Sequence, residues 1–207
     1  MSLRPKKSLG QNFLHDRNII NKIISVSKIN SNDEVLEVGP GTGNLTKFIV
    51  SQKPKKVYVI EKDENLANAL EKQYLNEVEV IKKDILKIPS EFYSGRKFLI
   101  FGNLPYNIST KILSNLCLNK SLKVSKMILM FQKEVAERIL ADVNSKEYSR
   151  ITILSKWKFD IKRVTDVKPN SFFPRPKVHS TFLEFAPKKK VYKIKDPENL
   201  EKITRIF

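Results

Sequence analysis

Five short apolar runs recur through the middle of the chain, and the stretches between them repeat apolar residues at helical spacing. The runs are Glu34-Val35-Leu36-Glu37-Val38, Val57-Tyr58-Val59-Ile60, Val78-Glu79-Val80-Ile81, Phe98-Leu99-Ile100-Phe101 and Met127-Ile128-Leu129-Met130. The fourth is continuous and apolar, as a strand covered on both faces should be. Leu45, Phe48 and Ile49 follow the first run at helical spacing, and Leu66, Ala67, Leu70 and Tyr74 follow the second. Ile108, Ile112, Leu113 and Leu116 follow the fourth; Val135, Ala136, Ile139 and Leu140 follow the fifth. Such alternation with short links predicts an α/β fold, a mostly parallel sheet wrapped by helices through right-handed crossovers. After Tyr148 the pattern changes. Phe159 to Val167 and Ser180 to Phe185 read as two strands joined by the proline-rich loop Lys168 to Lys177, which predicts an antiparallel end to the sheet.

A chain of 207 residues with 41% hydrophobic content can bury a core without metal or disulfide staples. Its one cysteine, Cys117, excludes an internal disulfide and a multi-cysteine zinc site. His15 and His179 lie far apart without cysteine partners, so no metal is expected. No apolar run approaches the roughly 18 residues of a membrane span, and the basic, polar start lacks a signal peptide's apolar core. A cytoplasmic protein without a membrane partner is the expectation. Asp196-Pro197-Glu198 reads as a helix start, followed by an apolar stripe of Leu200, Ile203 and Phe207. Three segments follow: a basic N-terminal arm (1–28), a main domain (29–187), and a linker with the start of a truncated helical domain (188–207).

Charge is unevenly placed. The net formal charge is +17. Residues 1–28 hold six Lys/Arg against Asp16 alone, and residues 156–207 hold fourteen against six acids, so the flanks carry thirteen of the seventeen. A surface that is merely lysine-rich would not predict that split, whereas a polyanionic partner would.

The chemistry-bearing residues follow the apolar runs. Gly39-Pro40-Gly41-Thr42-Gly43 closes the first strand. Its third glycine comes one residue earlier than in the dinucleotide fingerprint, which tilts the reading away from a pyrophosphate and towards an adenosyl ligand without phosphate. Glu61 ends the second run, where a carboxylate can accept from ribose hydroxyls; an ordinary solvated acid is the alternative. Asp84 follows the third, placed to accept from an adenine amine or merely to cap a helix. Asn103-Leu104-Pro105-Tyr106 follows the fourth. Its side-chain and backbone carbonyls can accept from an exocyclic amine, and Tyr106 offers a ring to stack on a base. A plain β-turn is the alternative.

These residues resemble the S-adenosylmethionine-dependent rRNA adenine N6-dimethyltransferase family. The resemblance runs from Lys7 to Pro187 and includes Gly10-Gln11-Asn12-Phe13-Leu14, the glycine loop, Glu61, Asp84, and Asn103 through Ser109. Gln132 to Arg138 and Phe172-Phe173-Pro174-Arg175-Pro176-Lys177-Val178 complete it, and favour the branch acting on small-subunit (16S) rRNA. It implies a Rossmann-like methyltransferase fold with a seven-stranded sheet, and a small helical C-terminal domain that is missing here. It implies S-adenosylmethionine as cofactor and S-adenosylhomocysteine as product, with 16S rRNA in an immature 30S subunit as partner of a monomer. Asn12 and Leu14 would contact the cofactor from the arm, Gly39 and Gly41 would line its methionine end, Glu61 its ribose, and Asp84 its adenine. Asn103, Leu104 and Tyr106 would hold the target adenine, Asn103 also touching the cofactor, and either Phe172 or Phe173 would cover the other face of the base.

Other readings are an antibiotic-resistance type 23S rRNA dimethylase, an adenine DNA methyltransferase, a non-catalytic ribosome-assembly factor and a nicotinamide dehydrogenase. Asn103 in place of an acidic residue disfavours DNA, and the glycine spacing disfavours nicotinamide. The charge split makes one prediction that needs no structure. A plot of log RNA affinity against log salt should fall steeply, by roughly 0.7–0.9 per phosphate neutralised, with several phosphates involved. A flat plot would remove the flanks from binding.

Overall fold

Each of the five apolar runs is a strand of one sheet in the computed structural model, which describes residues 5–6, 9–192, 194, 197, 199 and 202. In chain order the elements are β1 (Phe13–Leu14), α1 (Arg17–Ser27), β2 (Glu34–Val38), α2 (Asn44–Ser51), β3 (Lys56–Glu61), α3 (Glu64–Tyr74) and β4 (Val78–Lys82). Then come α4 (Ser90–Tyr93), β5 (Lys97–Gly102), α5 (Ser109–Leu118), β6 (Lys123–Gln132), α6 (Lys133–Leu140) and α7 (Arg150–Lys158). The last strands are β7 (Phe159–Val167), β8 (Phe172–Phe173) and β9 (Ser180–Pro187). The expected tail helix falls largely on residues outside those described, including Asp196, Glu198, Leu200, Ile203 and Phe207.

The sheet runs β4-β3-β2-β5-β6-β9-β7. The first five strands are parallel, and β9 pairs antiparallel with both β6 and β7. The antiparallel end is therefore a hairpin whose second arm inserts between β6 and β7. Alternate residues of each parallel strand point to opposite faces, so the sheet builds two cores. Leu36, Val38, Tyr58, Ile60, Phe98 and Ile100 meet Tyr93 of α4 and apolar residues of α5, α6 and α7 on one face. Val35, Val57, Val59, Leu99 and Phe101 meet apolar residues of α1, α2 and α3 on the other.

Three helices were not expected from the sequence: α1, the four-residue α4 and α7. Arg17–Ser27 was read as part of a basic arm; it is a helix capped by the Asp16 side chain, with Ile20, Ile23 and Ile24 buried. Those isoleucines at helical spacing behind an N-capping Asp were the available signal. The helix α7 hides better, because half of its buried side chains are polar: Thr152 and Ser155 sit beside Ile151 and Leu154. Their hydroxyls bond the carbonyls of Arg138 and Ile151. A polar residue that satisfies itself on backbone can occupy a core position without leaving an apolar stripe. Among the described residues no helix is long and apolar enough to cross a membrane.

A second, two-stranded sheet was also unforeseen. β1 pairs antiparallel with β8, setting Phe13 opposite Phe173 and Leu14 opposite Phe172. Asp16 strengthens this clasp by accepting from the Ser171 hydroxyl at 2.8 Å, and His15 N–H bonds the Ser171 carbonyl. The N-terminal segment is thereby tied to the loop between β7 and β9.

Candidate active site

Parallel strands in register end together, so the loops that follow them share one edge. β3, β2 and β5 align Glu34 with Lys56 and with Phe98, and Val38 with Ile60 and with Gly102. Beyond that common edge lie Asp84 after β4, Glu61 at the end of β3, Gly39 and Gly41 after β2, and Asn103 after β5. They line one cavity enclosing about 710 Å³, mouth included, together with Asn12, Leu104 and Tyr106. Leu9, Phe13, Ile60, Ile85 and Met130 supply much of its apolar wall.

The glycine turn is fixed sterically. Gly41 has φ +60°, and a Cβ there would lie 2.7 Å from the Phe13 ring. The position is thus reserved twice, by backbone conformation and by the clasp strand packed on it. Gly41 N–H also donates to Glu61 Oε2 at 3.2 Å, while Asp63 N–H donates to Oε1 at 2.8 Å. Burial pushes the Glu61 carboxyl above the ordinary glutamate value, and these amides oppose the shift. The Lys62 amide opposes the shift as well, and of about four lone-pair sites on the carboxylate at least one is left for a further donor.

Asp63 fastens the N-terminal segment. It accepts from Lys6 Nζ at 2.9 Å and Gln11 Nε2 at 3.2 Å. Burial acts to raise its carboxyl, but those donors hold it below the ordinary aspartate value. Asp84 is both cap and site. It accepts from Leu86 N–H at 3.0 Å and from Lys62 Nζ at 3.0 Å while lining the cavity. Burial tends to raise this carboxyl too; the Leu86 amide and Lys62 bring it below the usual range.

Asn103 Nδ2 donates to the Asn12 carbonyl at 2.7 Å. The amide is therefore oriented, and its Oδ1 keeps no partner among the described residues. Tyr106 is half-buried, and its hydroxyl lies 2.6 Å from Ser180 Oγ. Burial raises the phenol above its usual value, so it stays neutral.

Not every expected residue comes to the cavity. Leu14 is 4% exposed and belongs to the core; only its backbone carbonyl is engaged, by Asn44 Nδ2. The physical reason is strand alternation: Phe13 faces the glycine turn, so Leu14 faces inward. Phe172 is likewise buried, at 3%, while its neighbour Phe173 is 63% exposed. Neither Phe172 nor Phe173 lines the cavity, and of the two only Phe173 has an exposed ring. Sequence reasoning missed Gln11, Phe13 and Ile85 as lining residues, though Gln11 and Phe13 flank Asn12 in the motif and Ile85 follows Asp84. Among the described residues no cluster of His, Cys, Asp or Glu could hold a metal ion.

A glycine turn, two carboxylates and an oriented amide along the carboxyl edge of this sheet define a Rossmann-like methyltransferase fold. The chain belongs to the ribosomal RNA adenine dimethylase family, whose pattern it matches over residues 2–207. It is 53% identical to the ribosomal RNA small subunit methyltransferase A of Pelagibacter ubique, over 100% of this chain and 79% of that one. Among solved structures it is similar to a dimethyladenosine transferase from Plasmodium falciparum, with 37% identity and TM-score 0.77. That likeness covers 86% of this chain and 64% of the other, so this chain spans less than two thirds of that protein. It is also similar to the 23S rRNA methyltransferase ErmE, with 26% identity, TM-score 0.74, and coverage of 94% and 78%.

One carboxylate under the site makes a stability prediction. Glu37, on β2, is fully buried and accepts from the Thr46 hydroxyl at 2.7 Å. Burial raises its carboxyl to about 8, with nearby Glu61 adding to the shift. The folded state therefore holds this proton more tightly than the unfolded state. Its contribution is complete below the ordinary glutamate value and is lost as pH rises towards about 8. Unfolding free energies from urea titrations should fall across that window at up to about 1.4 kcal/mol per pH unit, and Glu37→Gln should flatten the slope. Equal slopes in the two proteins would show that Glu37 is charged in the fold.

Proposed function

We propose that the chain transfers methyl groups from S-adenosylmethionine to N6 of two adjacent adenines near the 3′ end of 16S rRNA, giving N6,N6-dimethyladenosine during small-subunit biogenesis. One observation carries the reading. The cavity residues lie in the strand order β4, β3, β2, β5, so Asp84, Glu61, the glycine turn and Asn103 succeed one another across adjacent strands. Three steps of about 4.8 Å span about 14 Å. That line suits, in order, an adenine amine, a ribose diol, an amino-acid portion and a reacting group. Cβ-free glycine, two carboxylates and an apolar wall fit an adenosyl ligand on their own chemistry. The name carried by the 53%-identical relative supports the small-subunit target over the 23S alternative, whose representative is 26% identical. Ribosomal RNA as substrate supports a cytoplasmic location.

The cofactor supplies an electrophilic methyl group when bound. Glu61 accepts from its ribose hydroxyls while its other lone pairs hold the turn at Gly41 and Asp63 N–H. Asp84 takes the adenine amine beside Lys62, and Asn12, Gly39 and Gly41 close around the methionine end. Asn103 Oδ1 and the Leu104 carbonyl offer two acceptors for the two N–H groups of the target amine. Hydrogen bonds that draw the amine out of conjugation leave its lone pair free to attack. Tyr106 stacks on one face of the base, and exposed Phe173, joined to Phe13 by the clasp, covers the other. The lysine-rich flanks hold the phosphate backbone, leaving chemistry to neutral groups.

Two variants test the halves of this assignment. Glu61→Ala should weaken S-adenosylmethionine binding by about 1.5–3 kcal/mol in calorimetry, because an ionised acceptor of two hydroxyls is lost. An unchanged affinity in folded protein would take Glu61 out of the cofactor site. Asn103→Ala should lower single-turnover methylation of an immature 30S subunit by roughly a hundredfold, the scale of one transition-state hydrogen bond. Subunit binding should hold nearly constant, since it rests on phosphate contacts. Wild-type turnover per folded molecule would make Asn103 a structural turn residue. Methylation of the 50S subunit in place of the 30S would select the 23S reading.

A further inference from the structure

The Tyr106 ring sits on the short loop between β5 and α5, where Ile108 N–H bonds the Pro105 carbonyl and the Ser109 hydroxyl bonds that of Tyr106. Those bonds fix the backbone, and the ring packs against the core on the α1–α3 face of the sheet. Its hydroxyl end is held by one hydrogen bond, 2.6 Å to Ser180 Oγ, 74 residues away. Ser180 is a stiff anchor. It is fully buried and opens the central strand of the antiparallel end, paired with Gln132 on one side and Val167 on the other. The residue before it is fixed as well, because the His179 carbonyl accepts from Lys133 N–H at 3.0 Å. Only residues 174–179 separate Ser180 from Phe173, whose ring is exposed.

We propose that Ser180 is a positioning residue: its hydroxyl fixes the Tyr106 ring, and so sets the slot between Tyr106 and Phe173 that receives the target base. The inference rests on the reading of Tyr106 as the stacking ring and names the residue that holds it. A ring fixed at both ends presents one plane to an incoming base, so less freedom is lost on binding and the amine arrives in line more often. The contact is also costly to half-remove. Ser180→Ala leaves a half-buried phenol without its partner, and Tyr106→Phe leaves a buried hydroxyl without its own.

The test is a double-mutant cycle in single-turnover methylation of the immature 30S subunit, at saturating subunit and cofactor. Ser180→Ala and Tyr106→Phe should each slow the methylation step by about three- to tenfold, and the double variant should be no slower than either. Cofactor and subunit affinities should stay within about twofold, a split that general loosening of the fold would not produce. Losses that multiply in the double variant, or a wild-type rate for Ser180→Ala, would overturn the proposal. Should Ser180→Ala fail to fold, Tyr106→Phe breaks the same bond from the other end, and a wild-type rate there overturns it equally. Tyr106→Ala separates the two layers of the argument. A large loss there beside an undiminished Ser180→Ala rejects the positioning role alone, whereas a wild-type rate for Tyr106→Ala rejects the stacking ring on which it rests.

Discussion

The in-register pairing of β4, β3, β2 and β5 is the constraint on which the site depends. Four parallel strands that end at one level bring residues from four separate loops, spread over positions 39 to 103, to a single edge. A shift of one residue in any strand would move its loop by about 3.3 Å and turn its core side chains to the opposite face. The two apolar cores forbid that shift, because Val35 and Leu36, or Leu99 and Ile100, are buried on opposite sides. The stability of the sheet and the alignment of the site are thus one property.

The N-terminal segment closes what the sheet leaves open. Three of its attachments reach the cavity or its rim: to Asp63 through Lys6 and Gln11, to Asn103 through the Asn12 carbonyl, and to Phe172 and Phe173 through the clasp. The first lies at the carboxylate side of the cavity and the others at the reacting side. A segment lining the cavity while orienting the Asn103 amide couples both halves mechanically. The same contacts explain the demand for glycine at position 41, where the Phe13 ring occupies the space of a Cβ.

Much of this was legible in the sequence, and the residues that were not share a physical cause. Apolar runs separated by helical patterns fixed the strands, and β7 begins and ends where its alternation predicts, at Phe159 and Val167. The residues after each strand were legible because ligands bind at the carboxyl ends of parallel strands. A two-residue strand such as β1 has no period to read, so the clasp was invisible. With it went the assignment of Leu14 to the core and the choice between Phe172 and Phe173, because which of two adjacent residues faces inward is decided by the pairing of Phe13 with Phe173 and of Leu14 with Phe172, far along the chain. The Tyr106–Ser180 contact was hidden for the same reason: a hydrogen bond between a loop and a strand start 74 residues apart leaves no local pattern.

The distribution of charge completes the division of labour. The cavity's lining cations, Lys62 and Lys83, stand beside Asp84 at one end. At the other end the lining is Asn12, Phe13, Asn103, Leu104, Pro105, Tyr106 and Met130, neutral throughout. An amine can act as nucleophile only with its lone pair free, and a sulfonium donor would be repelled by a nearby ammonium. A lysine at that end would oppose the binding of such a donor. A neutral amide acceptor avoids that repulsion. The net positive charge is concentrated instead in residues 1–28 and 156–207, which carry thirteen of the seventeen. The basic N-terminal segment itself reaches the neutral end of the cavity, yet it keeps the lining uncharged there, because it contributes Asn12 and Phe13 to the wall while its Lys6 is paired with Asp63.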